Sequence, residues 1–300
     1  MMLNIPAYKY NLKVICIDDN ELYLNSLAQE LSKTFSVETF NNPILALEYI
    51  RNTKSNILSE FLEITPDLES NRVLVDLKIE QIATLSEIEK TEIGVVIVDH
   101  HMPEMSGIDF CKQLPDNICK VLLTGAGDSN VAVQYFNNNV IDYYYLKGTS
   151  ELIDELNEVI ETTFKQYFLD KTKHIYTALS TTKFPLVAKP LCTFITETLE
   201  QNLADEFYLL DKNGSFMFVT DQKKNYIIVH NDASINEFIE NYQDNEQVFS
   251  IINQIKDRVA IPTFKNILPE DVAFEEWSNY IAPCQIIRDV ENYYVAVIYG

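Results

Sequence analysis

Short apolar runs that each stop on a polar residue constrain this chain more than any other feature. VICI ends on Asp18-Asp19, GVVIVD closes on Asp99, KVLLT on Thr124, and IDYYYL is followed by Lys147. A β-branched or aromatic run of that length, bounded by turn signals, reads as a parallel strand buried on both faces. The polar residue then stands at the strand's carboxyl end, where open α/β sheets bind ligands. Three carboxylates gathered there repel one another unless a hard divalent cation neutralises them, and such a cation takes oxygen ligands. An ammonium and a hydroxyl in the same cleft suit a phosphoryl group.

From Leu12 to about Lys147, strands alternate with helical patterns, as in a parallel sheet covered on both faces. The expected strands are Lys13–Ile17, Val37–Phe40, Val95–Val98, Lys120–Leu123 and Asp142–Leu146. Asn20 is placed to cap a helix with Leu24, Leu27, Ala28 and Leu31 on one face, and Pro43 suits the first position of the next. Asp128 or Ser129 would cap a fourth helix with Val131, Ala132, Tyr135 and Phe136 inward, and a fifth would run from about Ser150 to Phe168. The expected fold class is a flavodoxin-like, doubly wound α/β unit with a five-stranded parallel sheet, over residues 1–170. Residues 51–92 interrupt it: about forty residues far exceed an ordinary α/β connection and form an insertion. Its plain reading is an extended helix plus a surface loop, with a possible strand at Arg72–Leu77; a partner-docking flap is the alternative.

Residues 171–190, with two prolines and mixed polarity, read as a linker. Beyond them, over 191–300, a helix, hairpin strands around Asp211-Lys212-Asn213-Gly214, two helices and further strands suggest an α+β domain with an antiparallel sheet. Its order is similar to PAS-type sensors or to nucleotide-binding modules. The aromatics Phe207, Tyr208, Phe216, Phe218, Tyr226, Tyr293 and Tyr294 read as its hydrophobic core.

A net charge of -22 repels nucleic acid and anionic lipid. No basic helix marks a DNA-binding output, and beyond Tyr176 acids outnumber Lys plus Arg about two to one. No apolar stretch reaches the length of a membrane span, so the expectation is a cytoplasmic protein without membrane contact. The five cysteines lack metal-binding spacing and read as reduced thiols, mostly in the core.

Together, Asp18-Asp19, the run Asp99-His-His-Met-Pro-Glu-Met-Ser-Gly107, Thr124-Gly125 and Lys147 make residues 12–168 resemble the receiver domain of bacterial two-component response regulators. The runs FYLLDKNGSFMFV and KVLLTGAGDSNVAVQYFNNNVIDYYYLKG are similar to a subgroup, the quorum-sensing regulators of the Legionella type, with a non-DNA-binding output. The resemblance implies that Asp99 accepts a phosphoryl group from a histidine kinase or phosphotransfer protein. Asp18, Asp19, Asp99 and the backbone carbonyl of His101 would hold Mg²⁺, Lys147 and Thr124 would contact the phosphoryl group, and Thr124 with Tyr144 would form a switch. That switch would bias a face of helix four, strand five and helix five toward a homodimer. The output would act on an unknown protein or small ligand and would not itself be an enzyme; a nucleotide-related enzyme or a DNA-binding regulator is the alternative. Asp99-His100-His101 also spells the DHH of a Mn²⁺ phosphoesterase family, whose other acidic and histidine motifs are missing. Three positions depart from the receiver pattern or tune it: Gly148 stands where a cis proline is frequent, and His101 and Ala126 occupy sites that set the dephosphorylation rate.

Overall fold

A computed structural model describes residues 5–53, 62–67, 72–77, 82–87, 90–125, 134–179, 188–204, 206–264 and 269–300. The chain forms two compact units, one of Asn11–Ile57 with Glu89–Phe168 and the other of Met1–Tyr10, Leu58–Ile88 and Leu169–Gly300. This division differs from the expected 1–170 and 191–300. The first ten residues and Leu58–Ile88, the greater part of the insertion, group with the second unit.

The first unit is built on strands β2 (Lys13–Ile17), β3 (Ser36–Phe40), β6 (Ile93–Asp99), β7 (Cys119–Thr124) and β8 (Tyr143–Leu146). They form one parallel sheet in the order β3-β2-β6-β7-β8, which is the flavodoxin-like order. Every residue of the central strand β6 is buried, as an uninterrupted apolar run in a sheet covered on both faces requires. Helix α1 (Glu21–Leu31) is capped by Asn20, whose side chain accepts from Leu22 N and Tyr23 N, and buries Leu24, Leu27 and Leu31. Helix α2 (Pro43–Asn52) starts on Pro43 behind an Asn42 cap. Helix α3 (Gly107–Cys111) is short, and Ser106 caps it. The expected fourth helix lies partly outside the described residues, which include a helical stretch at 134–137; Ala126, Asp128, Ser129, Val131 and Ala132 fall outside them.

Helix α4 (Leu152–Leu179) continues eleven residues past the expected Phe168 end, so the first part of the expected linker is helical. In the insertion, β5 (Arg72–Leu77) is the strand read from sequence, and it pairs antiparallel with β4 (Leu62–Asp67). A two-stranded ribbon thus stands where an extended helix and loop were expected, because Leu62-Glu63-Ile64-Thr65 alternates and Val73-Leu74-Val75 is a short β-branched run, neither of which makes a helical stripe.

In the second unit, β1 (Tyr8–Lys9), β9 (Glu206–Leu209), β10 (Phe216–Thr220), β11 (Lys223–Asn231), β15 (Asn292–Ile298) and β14 (Gln285–Arg288) form one antiparallel sheet in the order β1-β9-β10-β11-β15-β14. Helices α5 (Lys189–Gln201), α6 (Asp232–Tyr242) and α7 (Phe249–Lys256) accompany it. The turn after β9 is built as its residues predict: Asp211 Oδ1 accepts from Asn213 N and Ser215 N, and Gly214 takes φ +88°. Near the end of the chain, β13 (Ile281–Pro283) pairs with β12 (Ala260–Pro262), while the adjacent β14 joins the main sheet. Phe207, Tyr208, Phe216, Phe218, Tyr293 and Tyr294 are buried, as read from sequence. Trp277, fully buried, gathers Phe238, Tyr242, Phe264 and Phe274 into a second aromatic cluster. Among the described residues, no helix is long and apolar enough to cross a membrane.

Candidate functional site

The chain leaves β2 to one side for β3, then crosses back to β6 and proceeds outward through β7 and β8. The order reverses between β2 and β6, so their connections diverge and leave a crevice at the carboxyl ends of those two strands. Asp18 and Asp19 follow β2 at this point, and Asp99 ends β6. Ligand oxygens of Asp18, Asp19 and Asp99 lie within 4.8 Å of one another, with Asp18 and Asp99 buried and Asp19 exposed.

Backbone donors orient the two buried carboxylates. Asp18 Oδ1 accepts from Asn20 N at 2.9 Å, and Asp99 Oδ2 accepts from His101 N at 3.0 Å. Their other oxygens converge on one ammonium: Lys147 Nζ lies 2.6 Å from Asp18 Oδ2 and 2.5 Å from Asp99 Oδ1. Lys147 enters the crevice because its own N–H donates to the Thr124 carbonyl, which extends the β7–β8 pairing by one residue. The next residue, Gly148, takes φ +83°, a left-handed conformation that proline could not adopt. This glycine therefore turns the chain by a different route from the cis proline frequent in receiver domains.

Burial pushes the Asp99 carboxyl above the usual carboxylate range, while the Lys147 ammonium and the His101 N–H pull it back. For Lys147 burial acts downward, yet hydrogen bonds and charge from Asp18 and Asp99 prevail and raise its pKa. A partly desolvated carboxylate beside a firmly charged ammonium is a competent nucleophile with a counter-charge in place.

Thr124, fully buried, ends β7 and donates from Oγ1 to the Tyr145 carbonyl at 3.4 Å. On β8 the Tyr144 ring packs against the core and meets Phe136 edge-on at 6.1 Å, while Tyr143 is exposed. The loop from β6 to α3 is closed by Gly107 N donating to the His100 carbonyl at 3.0 Å, and Glu104 within it takes φ 69°. His101 is exposed, and its ring lies 4.3 Å from that of buried His100. Every candidate of the sequence reading other than Ala126 is thus located, and Asp18, Asp19, Asp99 and Lys147 meet in one crevice.

Sequence reasoning missed Tyr23. This residue of α1 lies beneath Lys147, with Nζ 4.6 Å from the ring centroid. Nothing in its spacing flags it, because the inward stripe of α1 is carried by Leu24, Leu27 and Leu31.

Over its full length the chain is similar in structure to the Legionella pneumophila response regulator LqsR, with a TM-score of 0.70, 25% identity, and coverage of 100% of this chain and 91% of that one. A response regulator receiver domain protein from Clostridium thermocellum is matched at a TM-score of 0.34 and 20% identity, over 52% of this chain and 95% of that one. An adenylate cyclase from Rhodopirellula baltica is matched at 0.40 and 20% identity, over 56% and 97%. No protein-family model and no curated protein sequence matches the chain. The match to the Legionella regulator covers the whole of this chain and therefore spans the residues of both units.

Proposed function

We propose that the chain is a response regulator that accepts a phosphoryl group on Asp99 from a phosphohistidine of a histidine kinase or phosphotransfer protein. The observation that carries this reading is the single ammonium of Lys147 held between Asp18 and Asp99 at the crevice of the sheet. A carboxylate oxygen of Asp99 forms the new bond to phosphorus, the phosphorus–nitrogen bond breaks, and its electron pair stays on the imidazole of the donor. Lys147, already against Asp99, neutralises charge on the transferred group, and the Thr124 hydroxyl exchanges its weak bond to Tyr145 for a phosphoryl oxygen.

The acidic cluster fits a divalent cation: its donors are all oxygen and close enough for one small ion. Mg²⁺ would be held by Asp18, Asp19, Asp99 and the His101 carbonyl, and would supply charge neutralisation at the phosphoryl oxygens. Movement of Thr124 frees space beside β8 into which the Tyr144 ring turns, leaving Phe136. That rearrangement alters the face around β8, where Phe136, Tyr143 and Leu146 are 45%, 36% and 37% exposed, and favours a homodimer there.

We assign the second unit an output through protein contact or a small ligand, without catalysis or DNA binding. Two of its partly buried charges are engaged in holding the fold: Arg258 meets Asp232 at 3.2 Å, and Tyr294 donates to the same carboxylate at 2.9 Å. Acetyl phosphate with Mg²⁺ is expected to add the mass of one phosphoryl group to the wild type and none to Asp99→Ala. Beryllofluoride is expected to shift the wild type alone on size exclusion. Identical behaviour of the two proteins in both assays overturns the reading.

A further inference from the structure

Lys147 must find the phosphoryl group in a crevice where its carboxylate partners have other work. Its ammonium has three N–H donors on a flexible four-carbon stem. Asp18 and Asp99 account for two directions of its surroundings, and the face of Tyr23 forms another. Tyr23 is fixed relative to Asp18 by one turn of chain. Asn20 N donates to Asp18 Oδ1, and the Asn20 side chain in turn accepts from Tyr23 N at 3.2 Å. The ring and the carboxylate therefore move as one piece of the β2–α1 connection.

The phenol does not act through its hydroxyl. That oxygen is buried and has no hydrogen-bond partner among the described residues. Burial also raises the pKa of Tyr23, against the opposing charge of Lys147, so the ring is neutral. What it presents to Lys147 is a π face, which attracts a cation without competing for one. A divalent cation taking the Asp18 oxygen deprives the ammonium of that partner, whereas the ring has no affinity for a hard, oxygen-seeking ion and keeps its hold.

We propose that Tyr23 is a positioning residue for Lys147: its ring face keeps the ammonium beside Asp99 when a divalent cation takes Asp18, so that Nζ is in place for the phosphoryl oxygens. This rests on the phosphoryl-transfer reading above. Loss of the ring leaves Asp18, Asp19 and Asp99 intact and lets the lysine stem wander, so phosphoryl uptake suffers while cation affinity does not.

The test compares Tyr23→Leu, Tyr23→Met and Tyr23→Phe in the full-length protein. With acetyl phosphate and Mg²⁺, the leucine and methionine variants are expected to gain the phosphoryl group about fivefold more slowly, the size of one exposed cation–π contact. Tyr23→Phe, which retains the face, is expected to restore the wild-type rate. Calorimetric Mg²⁺ affinity is expected to agree among all four proteins within about twofold, the scale of a contact the cation does not touch. The ε-methylene protons of Lys147 are expected at high field in the wild type and Tyr23→Phe, and at ordinary lysine shifts in the other two. Uptake at the wild-type rate by a folded leucine or methionine variant overturns the inference, as does an unshifted lysine signal in the wild type. Tyr23→Phe as slow as Tyr23→Leu overturns it too. Failure of the wild type itself to gain phosphoryl mass instead removes the parent reading, and the lysine signal still reports whether the ring holds the ammonium.

Discussion

A β-carbon on Gly107 would overlap the backbone carbonyl oxygen of Asp99, so the start of α3 lies directly against the end of β6. The contact fixes the loop that contains His100 and His101, since Gly107 N also donates to the His100 carbonyl. Gly107→Ala is therefore expected to push α3 off the strand end. The overlapped atom belongs to the backbone and cannot swing away, so the expected loss is about 2–3 kcal/mol of stability. Chemical denaturation checks the loss, and acetyl phosphate labelling of Asp99 is expected to fall with it because the His101 N–H no longer meets Asp99 squarely.

Lys147 compensates two carboxylates that are 2% and 9% exposed at their side chains, and is itself 23% exposed. Lys147→Ala strands both as uncompensated buried charges, at an expected cost of about 3 kcal/mol. A divalent cation supplies the missing charge. Mg²⁺ is therefore expected to raise the melting temperature of Lys147→Ala by more than that of the wild type, in which the ammonium already neutralises the pair. Equal shifts in the two proteins would show that the ammonium and the ion do not share a seat.

The parallel sheet was legible because four of its five strands, β2, β6, β7 and β8, are mainly apolar runs with a polar residue at the carboxyl end: Asp18, Asp99, Thr124 and Lys147 mark both those strand ends and the candidate site. The second unit was less legible where the backbone adopts unusual conformations without the usual residues. Asp221 and Gln222 both take positive φ in the β10–β11 turn, and neither is glycine, so the tight turn that starts β11 at Lys223 carries no glycine signal. Tyr8 and Lys9 make a strand too short to show a period, and only its pairing with Tyr208 and Phe207 reveals it. Pro66 disguised β4, because proline argues against a strand unless a free edge accepts it. Tyr23 was invisible for another reason: a cation–π contact depends on where the lysine of a distant strand end comes to rest.

All five cysteines are thiols outside any disulfide, but they are not equally placed. Cys16 and Cys111 are buried, and burial pushes each thiol up to about 12. The other three, Cys119, Cys192 and Cys284, are only half-buried, fewer core thiols than the sequence suggested. Three units above the ordinary thiol value leave about a thousandfold less thiolate, the nucleophilic form. Burial pushes the Cys119 thiol up to about 12 as well, so brief iodoacetamide treatment of the folded protein is expected to spare Cys16, Cys111 and Cys119 and to modify Cys192 and Cys284 first, with all five modified in denaturant. Peptide mass mapping reads the order, and early labelling of Cys16 would contradict the packing of β2.

Both ring nitrogens of His230 are engaged, Nδ1 with Ser234 Oγ at 3.1 Å and Nε2 with the Pro262 carbonyl at 3.0 Å. The carbonyl only accepts, so Nε2 carries the proton, and the Nδ1 lone pair shares the one Ser234 hydroxyl hydrogen with the Asn231 carbonyl. Burial holds the imidazole below its ordinary value of 6.5, against the opposing charge of Asp211 and the Pro262 hydrogen bond. Above pH 6.5 the folded and unfolded chains are alike at this residue, so it adds no pH dependence. Below that value the unfolded chain takes a proton that the folded one refuses, and stability falls as pH falls toward the folded pKa, by at most about 1.4 kcal/mol per pH unit. His230→Gln keeps a donor for Pro262 and cannot titrate. The stability advantage of the wild type over this variant is therefore expected to shrink between pH 7.5 and 5.5, as read by denaturant unfolding. An advantage that stays constant or grows on acidification would mean that the folded imidazole welcomes its second proton.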